Sequence, residues 1–179
     1  MRSVLLEGKS VRLRPLIESD ARAFHAILRD RQVTRFLPPG LRHESGRHFV
    51  DRVLAEHKRG GAVPFVIVPR NTTEVAGEIR LFRWSRAERR AEVGYWLRRR
   101  YWGRGFGTDA LRAICRFGFR SMSLHRIDAT IVAGNVGSRR ILEKVGFCRE
   151  GRARQAALLP DGWADEWSFG LLRGELRAD

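Results

Sequence analysis

Gly103, Gly105 and Gly107 stand at alternate positions between an apolar run, Val93-Gly94-Tyr95-Trp96-Leu97, and a segment that takes up helical spacing from Phe106. A turn of this make-up can hold a phosphate. Glycine lets the backbone approach a ligand closely or adopt positive φ, and the first turn of a helix presents unpaired N–H groups and its positive dipole end to an anion. A tight strand-to-helix turn without a ligand is the other reading of the same residues. Two familiar phosphate motifs are excluded. No Gly-Lys-Ser/Thr follows, so the lysine and hydroxyl of a metal-phosphate loop are missing, and the glycine spacing is not that of a dinucleotide fold.

Few other residues have the spacing of a catalytic or metal site. His25, His43, His48, His57 and His125 are dispersed, with no Cys or Ser in a triad-like setting, and read as surface or core histidines. Cys115 and Cys148 are too few and too isolated for a metal site or a disulfide framework, and read as buried thiols of a reducing cytoplasm.

The elements that must position the glycine turn follow from period and punctuation. Ser10 to Leu16 alternates apolar and basic residues as a half-buried strand does, and a helix capped by Ser19 or Asp20 follows with Ala23, Phe24, Ile27 and Leu28 on one face. A second helix runs from about Glu44 to Arg59 and stops at Gly60-Gly61. These two helices are expected to wall a cleft. Ala62 to Val68, Val75 to Trp84 and Ala91 to Leu97 form a meander, in which Gly77 marks a bulge or a close backbone approach. The last of these strands leads into the glycine turn and a helix ending near Ser121. A buried strand from Arg126 to Val132, a capping loop from Asn135 to Ser138 and a short helix from Arg139 to Val145, closed by Gly146, come next. Phe147 to Leu158 and Asp165 to Leu172 pair around Pro160-Asp161-Gly162.

Composition bounds the reading. The 179 residues suit one domain with its own core, and 43% hydrophobic and 31% charged residues are ordinary globular usage. Met1 to Glu7 is interrupted by charge before an apolar leader core forms, and no run has transmembrane length, so a cytoplasmic protein is expected. The formal charge of +15 is less usual, and all the basic residues but Lys9, Lys58 and Lys144 are arginine. Long-range attraction of polyanions follows from such a charge, but the arginines are scattered rather than gathered in a tail, as in an arginine-rich proteome. The runs from Arg86 to Arg90 and Arg149 to Arg154 read as solvated faces.

Four segments together resemble the GNAT N-acetyltransferases. They are Ala91 to Leu97 running into Tyr101-Trp102-Gly103-Arg104-Gly105-Phe106-Gly107-Thr108-Asp109-Ala110; Asn135 to Phe147, similar to the family's Asn-x-x-Ser-x-Arg…Glu-Lys-x-Gly-Phe signature; Val11 to Leu16 with Asp20-Ala21; and Asp165-Glu166-Trp167. They span almost the whole chain, and the subgroup most resembled is the ribosomal-protein alanine N-acetyltransferases. The resemblance implies an α/β (α+β) fold, a single domain over residues 1–179 with a mixed, mostly antiparallel central sheet of about seven strands flanked by about four helices.

It also implies acetyl-CoA as cofactor. Amides from Gly103 through Arg104, Gly105, Phe106 and Gly107 to Thr108 would cradle the pyrophosphate, with Arg104, Arg140 and Lys144, and more loosely Arg99, neutralising phosphates. The edge of Tyr95, Trp96 and Leu97 would pair with the pantetheine amides as an added strand does, and Asn135 and Ser138 would fix the arm and the thioester. Two departures from the family pattern stand out. Trp102 replaces a usual Gln or Arg, which the ribosomal-protein subgroup tolerates. Leu142 occupies the place of a tyrosine that serves many members as general acid, so the proton donor must lie elsewhere.

The implied reaction is direct attack of a primary amine on the thioester, with a backbone N–H near Val93 to Trp96 stabilising the oxyanion. The amine must be neutral, and an N-terminal α-amino group titrates near ~8 against ~10.4 for lysine, so the first needs the weaker base. Glu92 is the candidate base, directly or through water; a solvated strand residue is its plain alternative. Ser138 is the candidate donor to the leaving thiolate, a role compatible with helix capping. Trp163, Asp165 and Trp167 fit either the acceptor cleft or hairpin packing, and Phe36 to Arg47 with Leu158 to Trp163 should build the acceptor pocket. The acceptor would be a protein N-terminus or a small molecule, with ribosome docking through the basic surface a further option. The competing class is a non-enzymatic RNA- or ribosome-associated module, which the absence of interleaved stacking aromatics weakens. No metal and no membrane are expected.

Overall fold

The computed structural model describes residues 4–178; Met1 to Ser3, the start of the leader reading, lie outside the described residues, as does Asp179. Eight strands form one sheet in the order β1-β2-β3-β4-β5-β6-β8-β7. They are β1 (Leu6–Glu7), β2 (Val11–Pro15), β3 (Ala62–Pro69), β4 (Gly77–Ser85), β5 (Arg90–Leu97), β6 (Arg126–Val132), β7 (Cys148–Leu159) and β8 (Gly162–Leu172). Five helices flank them: α1 (Ala21–Leu28), α2 (Arg31–Thr34), α3 (Gly46–Lys58), α4 (Phe106–Arg120) and α5 (Val136–Val145). The expected mixed sheet is present, with the two-residue β1 and the single-turn α2 added. Neither has enough length for a hydrophobic period to show.

Every neighbouring pair is antiparallel except β5 and β6, whose connection runs through α4. A parallel pair needs such a crossover. The two faces bury separate cores. On one, Ile79, Leu81 and Val93 pack against Leu111, Ile114 and Leu142 of α4 and α5. On the other, Val66, Val68 and Trp96 meet Phe24, Ile27, Phe49 and Val53 of α1 and α3. Gly77 is a close backbone approach: a Cβ there would sit 2.1 Å from the Trp96 carbonyl oxygen.

Asp109, in the first turn of α4, ties the start of the chain to the glycine turn. Its carboxylate accepts from the amides of Lys9 (2.9 Å), Ser10 (2.7 Å) and Val11 (3.0 Å) and from the Ser10 hydroxyl. Burial pushes the Asp109 pKa up, but these hydrogen bonds outweigh it and hold the group below the usual carboxylate range.

Candidate active site

β5 and β6 pair only at Arg90↔Arg126, Ala91↔Ile127 and Glu92↔Asp128; beyond that they diverge, β5 to Leu97 and β6 to Val132. A cleft of about 1260 Å³ opens there, lined by Tyr95 and Leu97 on one side and Thr130, Ile131 and Val132 on the other. Antiparallel pairing fixes which groups face it. Arg98 donates to the Ala76 carbonyl at 2.7 Å, and Leu97 is opposite Gly77. By alternation, the amides and carbonyls of Val93, Tyr95 and Leu97 point away from β4, toward the divergence. Those of Trp96 point to β4.

The cleft continues to the glycine turn. Gly103 (φ +71°) and Gly105 (φ +80°) are left-handed, a region that non-glycine residues rarely enter, and Gly105 is the N-cap of α4. Gly105, Gly107 and Thr108 line the cleft at the end where α4 has N–H groups without intrahelical acceptors. A Cβ added to Gly103 or Gly105 would meet nothing within 4 Å, whereas one on Gly107 would lie 2.8 Å from Ile141 Cδ1 and 3.3 Å from Leu97 Cδ1. The first two glycines therefore leave a cradle open. The third lets α4 close against β5 and α5.

α5 supplies the facing wall. The Asn135 side chain caps it by accepting from the Ser138 amide at 3.1 Å, and Tyr95 Oη donates to the Ser138 carbonyl at 3.3 Å. Burial raises the Tyr95 pKa, so its hydroxyl stays a donor. Ser138, Arg140 and Lys144 line the cleft from this side. Ser138 is thus the third residue of the helix and not its cap, because Asn135 already satisfies the orphan amide.

On the opposite sheet face Phe82 is paired with Glu92, Arg80 with Gly94 and Glu78 with Trp96. All six line the cleft. Glu92 Oε2 accepts from Arg83 at 2.8 Å, and Arg83 is at φ +49° in the irregular stretch between Phe82 and Ser85 that turns its side chain to the carboxylate. Glu78 is 1% exposed, and burial raises its pKa against the opposing pull of Arg80. This half is walled by Val33, Phe36, Leu37 and Leu41 on one side and by Leu158 and Trp163 on the other. Arg42 Nη2 donates to the Leu158 carbonyl at 2.6 Å and Arg35 pairs with Asp161 at 2.9 Å, joining the two walls.

A family model for the acetyltransferase (GNAT) domain matches residues 10–148. The chain belongs to the GNAT acetyltransferases. It is 28% identical over 168 residues to an uncharacterized N-acetyltransferase, YnaD, of Bacillus subtilis, covering 93% of this chain and 96% of that one. It is 31% identical over 122 residues to the ribosomal-protein-serine acetyltransferase of Escherichia coli, covering 68% of this chain and 67% of that one. Mycobacterium smegmatis RimJ in complex with CoA-disulfide superposes with a TM-score of 0.86 at 28% identity, covering 99% of this chain and 90% of the other.

Within this GNAT domain the expected site residues divide. Tyr95, Leu97, Gly103, Gly105, Gly107, Thr108, Asn135, Ser138, Arg140 and Lys144 converge on one half of the cleft, and Glu92 lines the other. Trp96 lines the cleft but offers no free edge: its main chain faces β4, and its ring packs 5.3 Å from Phe24 and 5.5 Å from Phe49. Arg104 lies over the Phe106 ring at 5.3 Å, and Phe106 packs on Tyr101 at 5.8 Å, so neither lines the cleft. Arg99 is exposed in the turn before the glycines.

Other expectations are corrected. α1 and α3 bury Trp96 rather than wall the cleft; residues 32 to 42 do that. The two readings left open for the terminal hairpin divide rather than fail: Trp163 lines the cleft, whereas Trp167 lies under Arg139 and Arg149 and Asp165 is taken by Arg152 and the Gln155 amide. Cys115 is buried but Cys148 is exposed on β7. Glu78 and Arg80 were missed. Their signal was an acid and a base inside an otherwise apolar strand, Gly77-Glu78-Ile79-Arg80-Leu81, where one face must be polar enough to hold them. Among the described residues no helix is long and apolar enough to cross a membrane, and no group of three or more metal-ligating side chains occurs.

Proposed function

We propose that this chain transfers the acetyl group of acetyl-CoA to a primary amine, a protein N-terminal α-amino group or a small-molecule amine, by direct attack in a ternary complex. The observation that carries this reading is the divergence of β5 from β6 after Glu92, which leaves an unpaired strand edge leading into the glycine turn and the N-terminus of α4. An arm bearing amides and ending in a pyrophosphate suits that path. The residues fit such a ligand: the cradle at Gly103 and Gly105 is open, Val93 and Tyr95 keep edge groups unspent, and Arg140 and Lys144 flank the same half. Bound there, acetyl-CoA supplies an acetyl thioester open to attack by an amine.

The chain's own residues then have distinct tasks. The amides of Val93 and Tyr95 are placed to donate to a developing oxyanion. Glu92, held by Arg83 on the acceptor side, takes the proton of the incoming amine through water. Ser138, on the cofactor side, donates to the leaving thiolate. The ribosomal-protein-serine acetyltransferase among the relatives supports a protein acceptor, the RimJ complex with CoA-disulfide supports the cofactor, and the +15 charge supports docking to a ribosome.

An RNA-binding module is less favoured, because many arginines are paired. Arg90 and Arg126 hold Asp128, Arg126 also holds Glu150, and Arg152 holds Asp165. Release of free thiol from acetyl-CoA across a panel of amines tests the proposal. Turnover with at least one amine is expected; no turnover together with no acetyl-CoA affinity overturns it.

A further inference from the structure

Four non-glycine residues among those described have left-handed backbone: Arg83 (φ +49°), Arg89 (φ +52°), Ser123 (φ +54°) and Gln155 (φ +49°). Residues with a Cβ enter this region at a cost and stay there where the surroundings hold them. Arg89 and Ser123 are held to each other, Arg89 Nε donating to the Ser123 carbonyl at 2.8 Å, and the Gln155 amide is held by Asp165 at 2.9 Å. Arg83 is the one of the four that lines the cleft.

Its place in β4 accounts for the geometry. Phe82 is opposite Glu92 and Ser85 opposite Arg90, so two residues, Arg83 and Trp84, oppose the single Ala91. A bulge whose first residue is left-handed is ordinarily built on glycine. Here it is built on arginine. Without the extra residue, alternation would put residue 83 on the face of Leu81, against the core under α4. With it, Trp84 packs against that core, and Arg83 stays beside Phe82 and Glu92.

The neighbouring cations are committed elsewhere. Asp128 is the partner of Glu92 across β5 and β6, on the same face, and takes both Arg90 and Arg126; Arg126 also pairs with Glu150. Arg80 lies 3.5 Å from Glu78 and 3.7 Å from Glu56. Glu88 adds a further acid to a second depression of about 460 Å³, which Arg83, Glu92 and Asp128 line together. Adjacent carboxylates disfavour each other's charged forms unless each has a cation. Arg83 supplies one to Glu92, reaching from a side chain that is 77% exposed to one that is 16% exposed.

We propose that Arg83 is a positioning residue for acetyl transfer: the left-handed bulge is kept because it brings a cation to Glu92 beside Asp128 and fixes the direction of the carboxylate that takes the amine's proton. This rests on the acetyltransferase reading, with Glu92 as its base.

Arg83→Gly removes the cation and suits the backbone, so it should unfold at or above the wild-type temperature. With the amine that the wild type acetylates fastest, the acid limb of its kcat–pH profile should move up by about half to one pH unit, which slows turnover on that limb roughly three- to tenfold. Amine KM and acetyl-CoA affinity should not change. Arg83→Lys, with the charge restored, should return the limb most of the way, and the wild-type and Arg83→Gly profiles should converge as salt rises and screens this exposed pair. In a Glu92→Gln background Arg83→Gly should do nothing further. Coincident profiles for wild type and Arg83→Gly, a shift that Arg83→Lys leaves in place, or a loss of turnover that only follows a loss of thermal stability overturns the inference. A wild type that neither binds acetyl-CoA nor acetylates any amine fells the acetyltransferase reading and this inference with it; wild-type turnover that Glu92→Gln leaves intact fells this inference but not that reading.

Discussion

The indole N–H of Trp102 donates to the Leu97 carbonyl at 2.8 Å. The last free acceptor on the β5 edge is therefore occupied by the residue that starts the glycine turn, and the turn is fastened to the strand it leaves. A ligand arm on this edge is left with the carbonyls of Val93 and Tyr95 and the amides of Val93, Tyr95 and Leu97. Trp102→Phe should lower unfolding free energy by about 0.5–1.5 kcal/mol, the net worth of one such bond, in a denaturant titration. Coenzyme A affinity should stay within about threefold, under 1 kcal/mol; a larger loss would mean that the indole itself contacts the ligand.

Gly105 separates conformational need from space. A Cβ there meets no neighbour, but φ is +80°, which L-residues adopt at a cost of roughly 1–2 kcal/mol and β-branched ones hardly at all. Gly105→Val should abolish acetyl-CoA binding by re-aiming the α4 N-terminus. Gly105→Asn should keep it within about tenfold, since asparagine visits this region. Isothermal titration of both variants with acetyl-CoA separates the outcomes; equal affinities would show that the turn conformation is not what binds.

Asp109 makes stability depend on pH with a definite sign. Its folded-state pKa lies below the ordinary carboxylate value, so its contribution is complete above about pH 4 and is lost as pH falls through the folded pKa. Asp109→Asn removes the charge and turns one of the two accepting oxygens into an amide donor, leaving a single oxygen for the amides of Lys9, Ser10 and Val11 and the Ser10 hydroxyl, and should cost about 2–4 kcal/mol. Thermal unfolding between pH 2 and pH 6 should show a weaker acid dependence in the variant than in the wild type.

What the sequence made legible were features whose cause is local. The glycine turn announces itself because left-handed backbone favours glycine, and β6 matches Arg126 to Val132 because His125 and Arg126 mark its start and Gly134 and Asn135 follow its end. α5 begins at Val136, earlier than its period suggests, because Val136 and Gly137 are weak helix formers held by the Asn135 cap. Edge parity was not legible. Alternation along β5 shows that Tyr95 and Trp96 face opposite sides, but only the register with β4 reveals that Tyr95 holds the free amide and that Trp96 belongs to the core with Phe24 and Phe49. The pairing of Glu78 with Trp96 and of Arg80 with Gly94 is long-range for the same reason.

Glu92 separates binding from chemistry. It lies on the proposed acceptor face, away from the β5 edge that would hold the cofactor arm, and its carboxylate accepts from Arg83. Glu92→Gln keeps the shape and can still meet Arg83 through its amide oxygen, so acetyl-CoA affinity should be unchanged. Turnover at neutral pH should fall at least tenfold and by as much as ~10²–10⁴ if Glu92 is the sole base. The deficit should shrink as pH rises toward the α-amine pKa near ~8, because the acceptor then loses its proton unaided. A fall that is constant across pH would make Glu92 a positioning residue, and no fall would leave proton removal to Glu78, the other carboxylate on this face.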